Sequence, residues 1–444
     1  MRIFSMSGRS RMEATIFYSP APQCGPHCMS ISNGKLQSQG TSSTWPEPRR
    51  LKNASSERML RPVANQEVVR ASSLRSASDM DASGELLAHK LGPNTKEPTM
   101  QRTKRPPSLP QFVAGAALCA LLSLFGGTAR ADAPTDTQRA AFRRPDTIPF
   151  PKDNPYAPEK AALGKMLFFD TRLSRDKNIS CASCHNPSFG WEVPFAKAIG
   201  AGGKPLGRHA PTVLNQAWSK NLFWDGRAPS LEEQAKGPIQ APAEMDLPLA
   251  TAIARLKEVQ GYNAAFAKAF PRDGLTEQTM VQAIATFERT IVTGDTPFDR
   301  WLRGDARALS ESAQRGFAVF TGKANCAACH TGWNFTDDKF HDTGLTTEDV
   351  GRMGVSRDAA DKHAFKTPSL REIAARAPYM HQGQLATLEA VVVHYITGGQ
   401  ARPSRSTLMK PVPLDRQEIQ NLVAFMQALS SPQATQAMPN LPAR

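Results

Sequence analysis

Cys181-Ala182-Ser183-Cys184-His185 decides how this chain is read. It has the form C-x-x-C-H, the attachment sequence of a c-type haem. Two thiols separated by two residues reach the two vinyl groups of one porphyrin, and the histidine that follows is held under the iron as its proximal ligand. The form returns as Cys326-Ala327-Ala328-Cys329-His330. Of the seven cysteines, Cys24, Cys28 and Cys119 precede residue 132; the other four all fall inside these two motifs. The competing reading, a zinc module built from two C-x-x-C pairs, ordinarily needs much tighter spacing. Cys181, Cys184, Cys326 and Cys329 are therefore assigned to two covalently bound haems, with His185 and His330 on the irons.

Composition narrows the rest. A chain of 444 residues has room for two or three domains, and 40% hydrophobic content is enough for a packed core. The net charge of +14 invites a nucleic-acid partner, but its distribution does not. Residues 1–131 carry 17 Lys+Arg against 8 Asp+Glu, and the remainder carries only 37 against 32, an excess that four haem propionates would nearly cancel. No basic stripe with interleaved aromatics is present, so nucleic acid is excluded as a partner.

Residues 1–99 are rich in Ser, Arg, Pro and Gln with weak apolar periodicity, a composition that reads as disordered. Met100 opens a different pattern. Arg102, Lys104 and Arg105 form a basic region, Phe112 to Phe125 an apolar run, and Ala129-Arg130-Ala131 a cleavage site. Residues 100–131 thus read as a secretory signal peptide, with an apolar run too short for a stable membrane span. Residues 1–99 then read as an over-extended reading frame, and the mature protein is expected to begin at Asp132, in the periplasm.

The mature chain is predicted to be mostly α. Helical spacing runs from Ala157 to Phe169, from about Leu249 to Phe270, and from Thr276 to Val292, where Met280, Ile284, Phe287 and Ile291 share a face. Ser310 can cap a helix through Phe320, and Asp415 with Glu418 gives a capping box ahead of an apolar stripe from Ile419 to Leu429. Gly164-x-x-x-Phe168 precedes the first haem motif as Gly316-x-x-x-Phe320 precedes the second. This internal repeat predicts two cytochrome c-like domains, 132–295 and 296–444, each wrapping one haem.

Further blocks surround the motifs: Pro211-Thr212-Val213-Leu214-Asn215, Phe223-Trp224-Asp225-Gly226-Arg227-Ala228, Gln234-Ala235-x-Gly237-Pro238-Ile239 with Glu244-Met245, Thr367-Pro368-Ser369-Leu370-Arg371 and Pro378-Tyr379-Met380-His381-x-Gly383. With them the chain resembles the bacterial di-haem cytochrome c peroxidase superfamily, which includes the MauG-type enzymes, over roughly residues 145–430. The resemblance implies two cytochrome c-like domains with a calcium ion between them. It implies that hydrogen peroxide reacts at the first haem, reaching high-valent iron, while the second stores and passes electrons. It places Trp224 between the haems and Gln234 and Glu244 in the distal pocket of the first. The residue chemistry agrees: splitting a peroxide needs a proton carried between its oxygens, which a carboxyl group can do, and an amide can steady the developing charge. Taken alone, Glu244 would be a solvated loop acid and Trp224 a core residue.

The chain departs from the ordinary peroxidases in two places. Where they have a histidine that blocks the first haem, this chain has Ala201; the nearby His209 falls where a calcium-binding asparagine usually stands. His209 is thus a misaligned haem ligand, a substitute at the calcium site, or a surface histidine. The backbone carbonyls of Arg376 and Pro378 match the other calcium positions. Second, the position of the ordinary peroxidases' methionine ligand, fourteen residues after His381, is Tyr395, as in MauG-type enzymes. His394 and Met380 compete with it. The expectation is a periplasmic di-haem oxidoreductase of MauG type acting on hydrogen peroxide and an unidentified partner. The alternative is an ordinary cytochrome c peroxidase drawing electrons from a small cytochrome or cupredoxin.

Overall fold

The computed structural model describes residues 133–432 and 436–443. The readings made for 1–99, the signal peptide and Asp132 lie outside the described residues. Among the described residues eight helices or helical turns form the first stretch of the fold and four the second. In order they are α1 (Asp136–Phe142), α2 (Pro158–Phe169), the single turn α3 (Cys181–Cys184), α4 (Leu231–Gln240), α5 (Leu249–Lys257), α6 (Gln260–Ala269), α7 (Glu277–Arg289) and α8 (Pro297–Leu302). They continue as α9 (Glu311–Thr321), the single turn α10 (Met353–Ser356), α11 (Leu388–Ile396) and α12 (Arg416–Gln427). Among the described residues, extended pairing in a sheet is limited to β1 (Phe340–His341) against β2 (Phe365–Lys366), antiparallel. No described helix is long and apolar enough to cross a membrane.

Two helix crossings organise the architecture. On α2, Gly164 presses its bare Cα against α7: a Cβ there would overlap the Ala283 carbonyl and come within 2.8 Å of the Phe287 Cβ. On α9, Gly316 does the same to α12, where a Cβ would overlap the Asn421 carbonyl and sit 2.8 Å from the Phe425 Cβ. The faint sequence repeat is therefore a repeated crossing, one ahead of each haem motif, and glycine is required because the two backbones touch.

Each crossing seeds its own core. Leu163, Leu167, Phe168, Trp191, Tyr262, Phe266, Met280, Ile284 and Phe287 form the first. Phe298, Phe317, Phe320, Phe335, Phe425 and Leu429 form the second. Phe142 of α1 belongs to the second core, edge-on to Phe298 and Phe317, so the segment assigned by sequence to the first domain reaches across to the other. Burying a phenylalanine is worth about 1.5–3 kcal/mol, which fixes α1 there.

Caps explain where the main helices start. Ser310 accepts from the Ala313 N–H, and Asp415 and Glu418 make the expected reciprocal box. Thr276 caps α7 in the same way. Such caps contribute about 1 kcal/mol each. The long helix predicted over 249–270 is two: the chain breaks at Glu258–Val259, where Val259 takes an extended conformation between α5 and α6. The stripe predicted on α7 is only part of its buried surface, since every residue from Thr279 to Arg289 except Gln282 is buried.

Candidate di-haem site

Both C-x-x-C-H segments fold as tight turns that bring the histidine back under the cysteines. The His185 N–H donates to the Cys181 carbonyl (2.9 Å), and the His330 N–H to the Cys326 carbonyl (2.9 Å). Each imidazole is then fixed through Nδ1, which donates to the Trp191 carbonyl (3.3 Å) in one case and the Phe335 carbonyl (3.0 Å) in the other. That leaves Nε2 as the free ligand atom on both. Burial pushes both imidazoles toward the neutral form that binds iron. It also pushes the thiols up, Cys184 and Cys329 to about 11 and Cys326 to about 12, where they are inert unless covalently capped. Among the described residues the four motif cysteines do not converge on one point, which removes the zinc-module reading.

A cavity of about 430 Å³ opens on Cys184 and His185, and it gathers Trp224, Gln234 and Glu244 at its walls. A second, of about 560 Å³, opens on Cys326, Cys329 and His330 and is lined by Tyr395. The fixed histidines and these cavities fit two c-type haems. Trp224 lines both cavities. Its indole Nε1 donates to the His209 carbonyl (2.9 Å), and its own carbonyl accepts from the Lys366 N–H (2.8 Å), so the ring is pinned between the halves.

Glu244 is carried on the turn that leaves α4. The turn folds back through Glu244 N–H to the Ala241 carbonyl (2.9 Å) and Met245 N–H to the Pro238 carbonyl (3.0 Å). Burial raises the Glu244 carboxyl above the ordinary range, with the Arg227 charge opposing. Helix α4 itself is held by Glu232, which takes both arms of Arg289 (2.7 and 2.9 Å). Ala201 packs onto the same turn: it is buried and donates its N–H to the Glu244 carbonyl (2.8 Å). The histidines lining this cavity are His185 and His209.

His209 is 2% exposed, which corrects the surface reading. Its Nδ1 faces the Ala196 carbonyl (3.2 Å) and its Nε2 the Glu192 carboxylate (3.1 Å), so neither nitrogen is free for iron. The other Glu192 oxygen accepts from Arg376 Nε (2.9 Å) and the Thr212 N–H (2.9 Å). The Arg376 guanidinium also donates to the Ser369 and Arg371 carbonyls. Calcium needs six to eight oxygen ligands. At His209 the matching position holds an imidazole in place of an oxygen donor, and the neighbouring Glu192 carboxylate is already taken by His209, Arg376 and the Thr212 N–H, which leaves the carbonyls of Arg376 and Pro378 as the matching oxygens. Dialysis against a calcium chelator is expected to leave both the haem absorption spectrum and the Tm unchanged, and a loss of either would restore the metal.

In the second cavity, Tyr395 lies at the end of α11. Burial pushes its phenol up, so only a cation sharing the cavity would draw off the proton. His394 is turned away, Nε2 donating to the Thr343 carbonyl (3.0 Å), and it does not line the cavity. Met380 does, as does Met409, which sequence reasoning did not single out. His381 stacks on Phe365 (3.7 Å) and lies edge-on to Trp224 (6.4 Å).

Comparison with known proteins agrees with this geometry. The family described as di-haem cytochrome c peroxidase matches residues 158–307, and the cytochrome c family matches residues 313–430. The chain is 49% identical to the methylamine utilization protein MauG of Methylorubrum extorquens, over 74% of this chain and 96% of that protein. The chain belongs to the MauG and di-haem cytochrome c peroxidase family. A more distant member, the cytochrome c551 peroxidase of Pseudomonas aeruginosa, is 36% identical over 73% of this chain and 94% of its own length. Among solved structures, a MauG-like protein associated with microbial copper homeostasis superposes with a TM-score of 0.61 at 33% identity, covering 65% of this chain and 94% of that one. The protein is thus a di-haem oxidoreductase of peroxidase type, mostly helical, with two c-type haems.

Proposed function

We propose that this member of the family is an exported, periplasmic enzyme of MauG type. Cys181, Cys184 and His185 would hold the haem that meets hydrogen peroxide, in a protein that needs no prior reduction. Cys326, Cys329 and His330 would hold the second haem, with Tyr395 as its further ligand and Trp224 as the bridge between the two, and the oxidising equivalents would be spent on a partner protein or small molecule. The observation that carries the reading is the composition of the first cavity. Ala201, at the position of the blocking histidine, is buried against the turn that carries residue 244 and does not line the cavity, whereas Glu244 and Gln234 do.

The bound haems supply the redox chemistry. Glu244, raised by burial, accepts a proton from one peroxide oxygen and returns it to the other, which becomes water. The Gln234 amide is a hydrogen-bond donor toward the charge that develops. Trp224, held at its Nε1 by the His209 carbonyl, offers an aromatic bridge between the two cavities.

The alternative, an ordinary cytochrome c peroxidase served by a small cytochrome or cupredoxin, is favoured by one observation: Met380 and Met409 both line the second cavity and could supply a thioether ligand. One experiment separates the two. Stoichiometric peroxide added to the fully oxidised protein is expected to change the spectra of both haems at once, without prior reduction. A protein that stays inert until one electron is added is an ordinary peroxidase.

A further inference from the structure

Glu288 takes no part in the chemistry above. It lies on α7, buried with 4% exposure, and its Oε2 has no hydrogen-bond partner. The neighbouring Arg289 does not serve it, because that guanidinium is turned to Glu232. Among the described residues the other buried carboxylate oxygen without a hydrogen bond is Asp338 Oδ1, which has Lys366 Nζ at 3.5 Å. Glu288 has no such cation on it. It lines the same cavity as Cys184 and His185, and it is near enough to Cys181 to raise that thiol.

We propose that Glu288 is a second protonatable group of the first haem pocket, on the Cys181 side, and that its charge sets the potential of that haem. A carboxylate with a buried oxygen that no donor meets is costly, so the group holds its proton. Burial lifts its titration to about 8, with Glu232 adding to the shift and Arg289 opposing it. The charged groups around it are Arg289 on its own helix, Glu232 on α4, the Cys181–Cys184 turn and Glu244; α2 and α5 meet α7 through the apolar core. Below that pH the haem sees a neutral acid. Above it, a negative charge beside the haem would favour the ferric form, and one-electron reduction by an external mediator would take up a proton from solvent at Glu288 over the interval between its pKa values in the ferric and ferrous proteins. The inference rests on the haem at Cys181–Cys184–His185 alone and not on the MauG-type reading.

The test is the potential of the first haem in the holoenzyme, measured by spectroelectrochemistry from pH 6 to 10 in wild type and in Glu288→Gln. Groups common to both proteins cancel in the difference. Near pH 6 the two potentials are expected to agree, and above about 8 the wild-type potential falls below that of the variant. Superimposable curves across the range would overturn the proposal, as would an offset independent of pH. Stability gives a readout that needs no potential. The folded acid keeps a proton that the unfolded chain releases above about 4.5, so wild-type Tm relative to Glu288→Gln should fall as pH rises from 4.5 to 8 and then level off. If the variant does not load haem, the redox-induced infrared difference spectrum of the wild type decides. A protonated-carboxyl band that is lost above pH 8 supports the assignment, and its absence at every pH refutes it.

Discussion

Glu244→Gln is expected to slow the reaction of the fully oxidised protein with hydrogen peroxide by about 10²–10⁴-fold, the usual contribution of a positioned general acid–base. The substitution keeps the size and the turn that carries residue 244, because that turn is held by backbone bonds from Glu244, Met245 and Ala201. Haem content should therefore be unchanged, and the loss should appear in the bimolecular rate. The pH profile sharpens the test. A carboxyl group whose pKa is raised by burial must be ionised before it can accept a proton, so the wild-type rate should climb as pH rises through that raised value. The glutamine variant has nothing to titrate and should lack this limb. A rate with peroxide equal to wild type, measured by stopped flow, would reduce Glu244 to a loop acid and leave the proton transfer to Gln234 or solvent.

The second large effect is expected at Tyr395. A phenolate is a hard, anionic donor that favours ferric iron, whereas a thioether is soft and neutral and raises the potential. Tyr395→Met should raise the potential of the second haem and abolish the spectral change that stoichiometric peroxide produces there, while both haems stay attached through Cys181, Cys184, Cys326 and Cys329. The variant should then need one electron before it reacts. Two controls locate the effect, since Met380→Leu and Met409→Leu remove the other sulfur donors of the cavity. Both should leave the second haem's spectrum as in wild type. If either of them changes it and Tyr395→Met does not, the ligand is that methionine and the alternative function follows.

Much of this architecture could be read from the sequence because its signals are local. The C-x-x-C-H turns, the caps at Ser310 and Asp415 and the glycine–phenylalanine spacing ahead of each motif all act within a few residues. His209 shows what local reading misses. In a loop of Gly, Arg and Pro, a histidine looks solvent-exposed; here its ring meets the Ala196 carbonyl and Glu192, and its backbone N–H meets the carbonyl of His381, far downstream. Glu288 escaped for a related reason. An acid next to an arginine on an amphipathic helix resembles a solvated ion pair, but α7 is enclosed on nearly all sides and its arginine serves α4 instead. The break between α5 and α6 was invisible because neither Glu258 nor Val259 is a helix breaker. Leu256, Val259 and Tyr262, before, at and after the break, are all buried in one core.

The paired crossings at Gly164 and Gly316 bear on how such a protein diversifies. In each half, a single added methyl group would drive two helices apart, so the hydrogens on these two Cα atoms are as indispensable as the thiols they precede. The residues proposed for the far side of each iron come instead from the connections that link the crossing helices: 198–246 in one half, which includes α4, and 378–412 in the other, which includes α11. A duplicated chassis of this kind can keep its frame for good while its trim is exchanged. Lineages descended from one ancestor should therefore differ in reactivity through those connections, and a chimaera that swaps them would inherit the chemistry of the donor and the skeleton of the host.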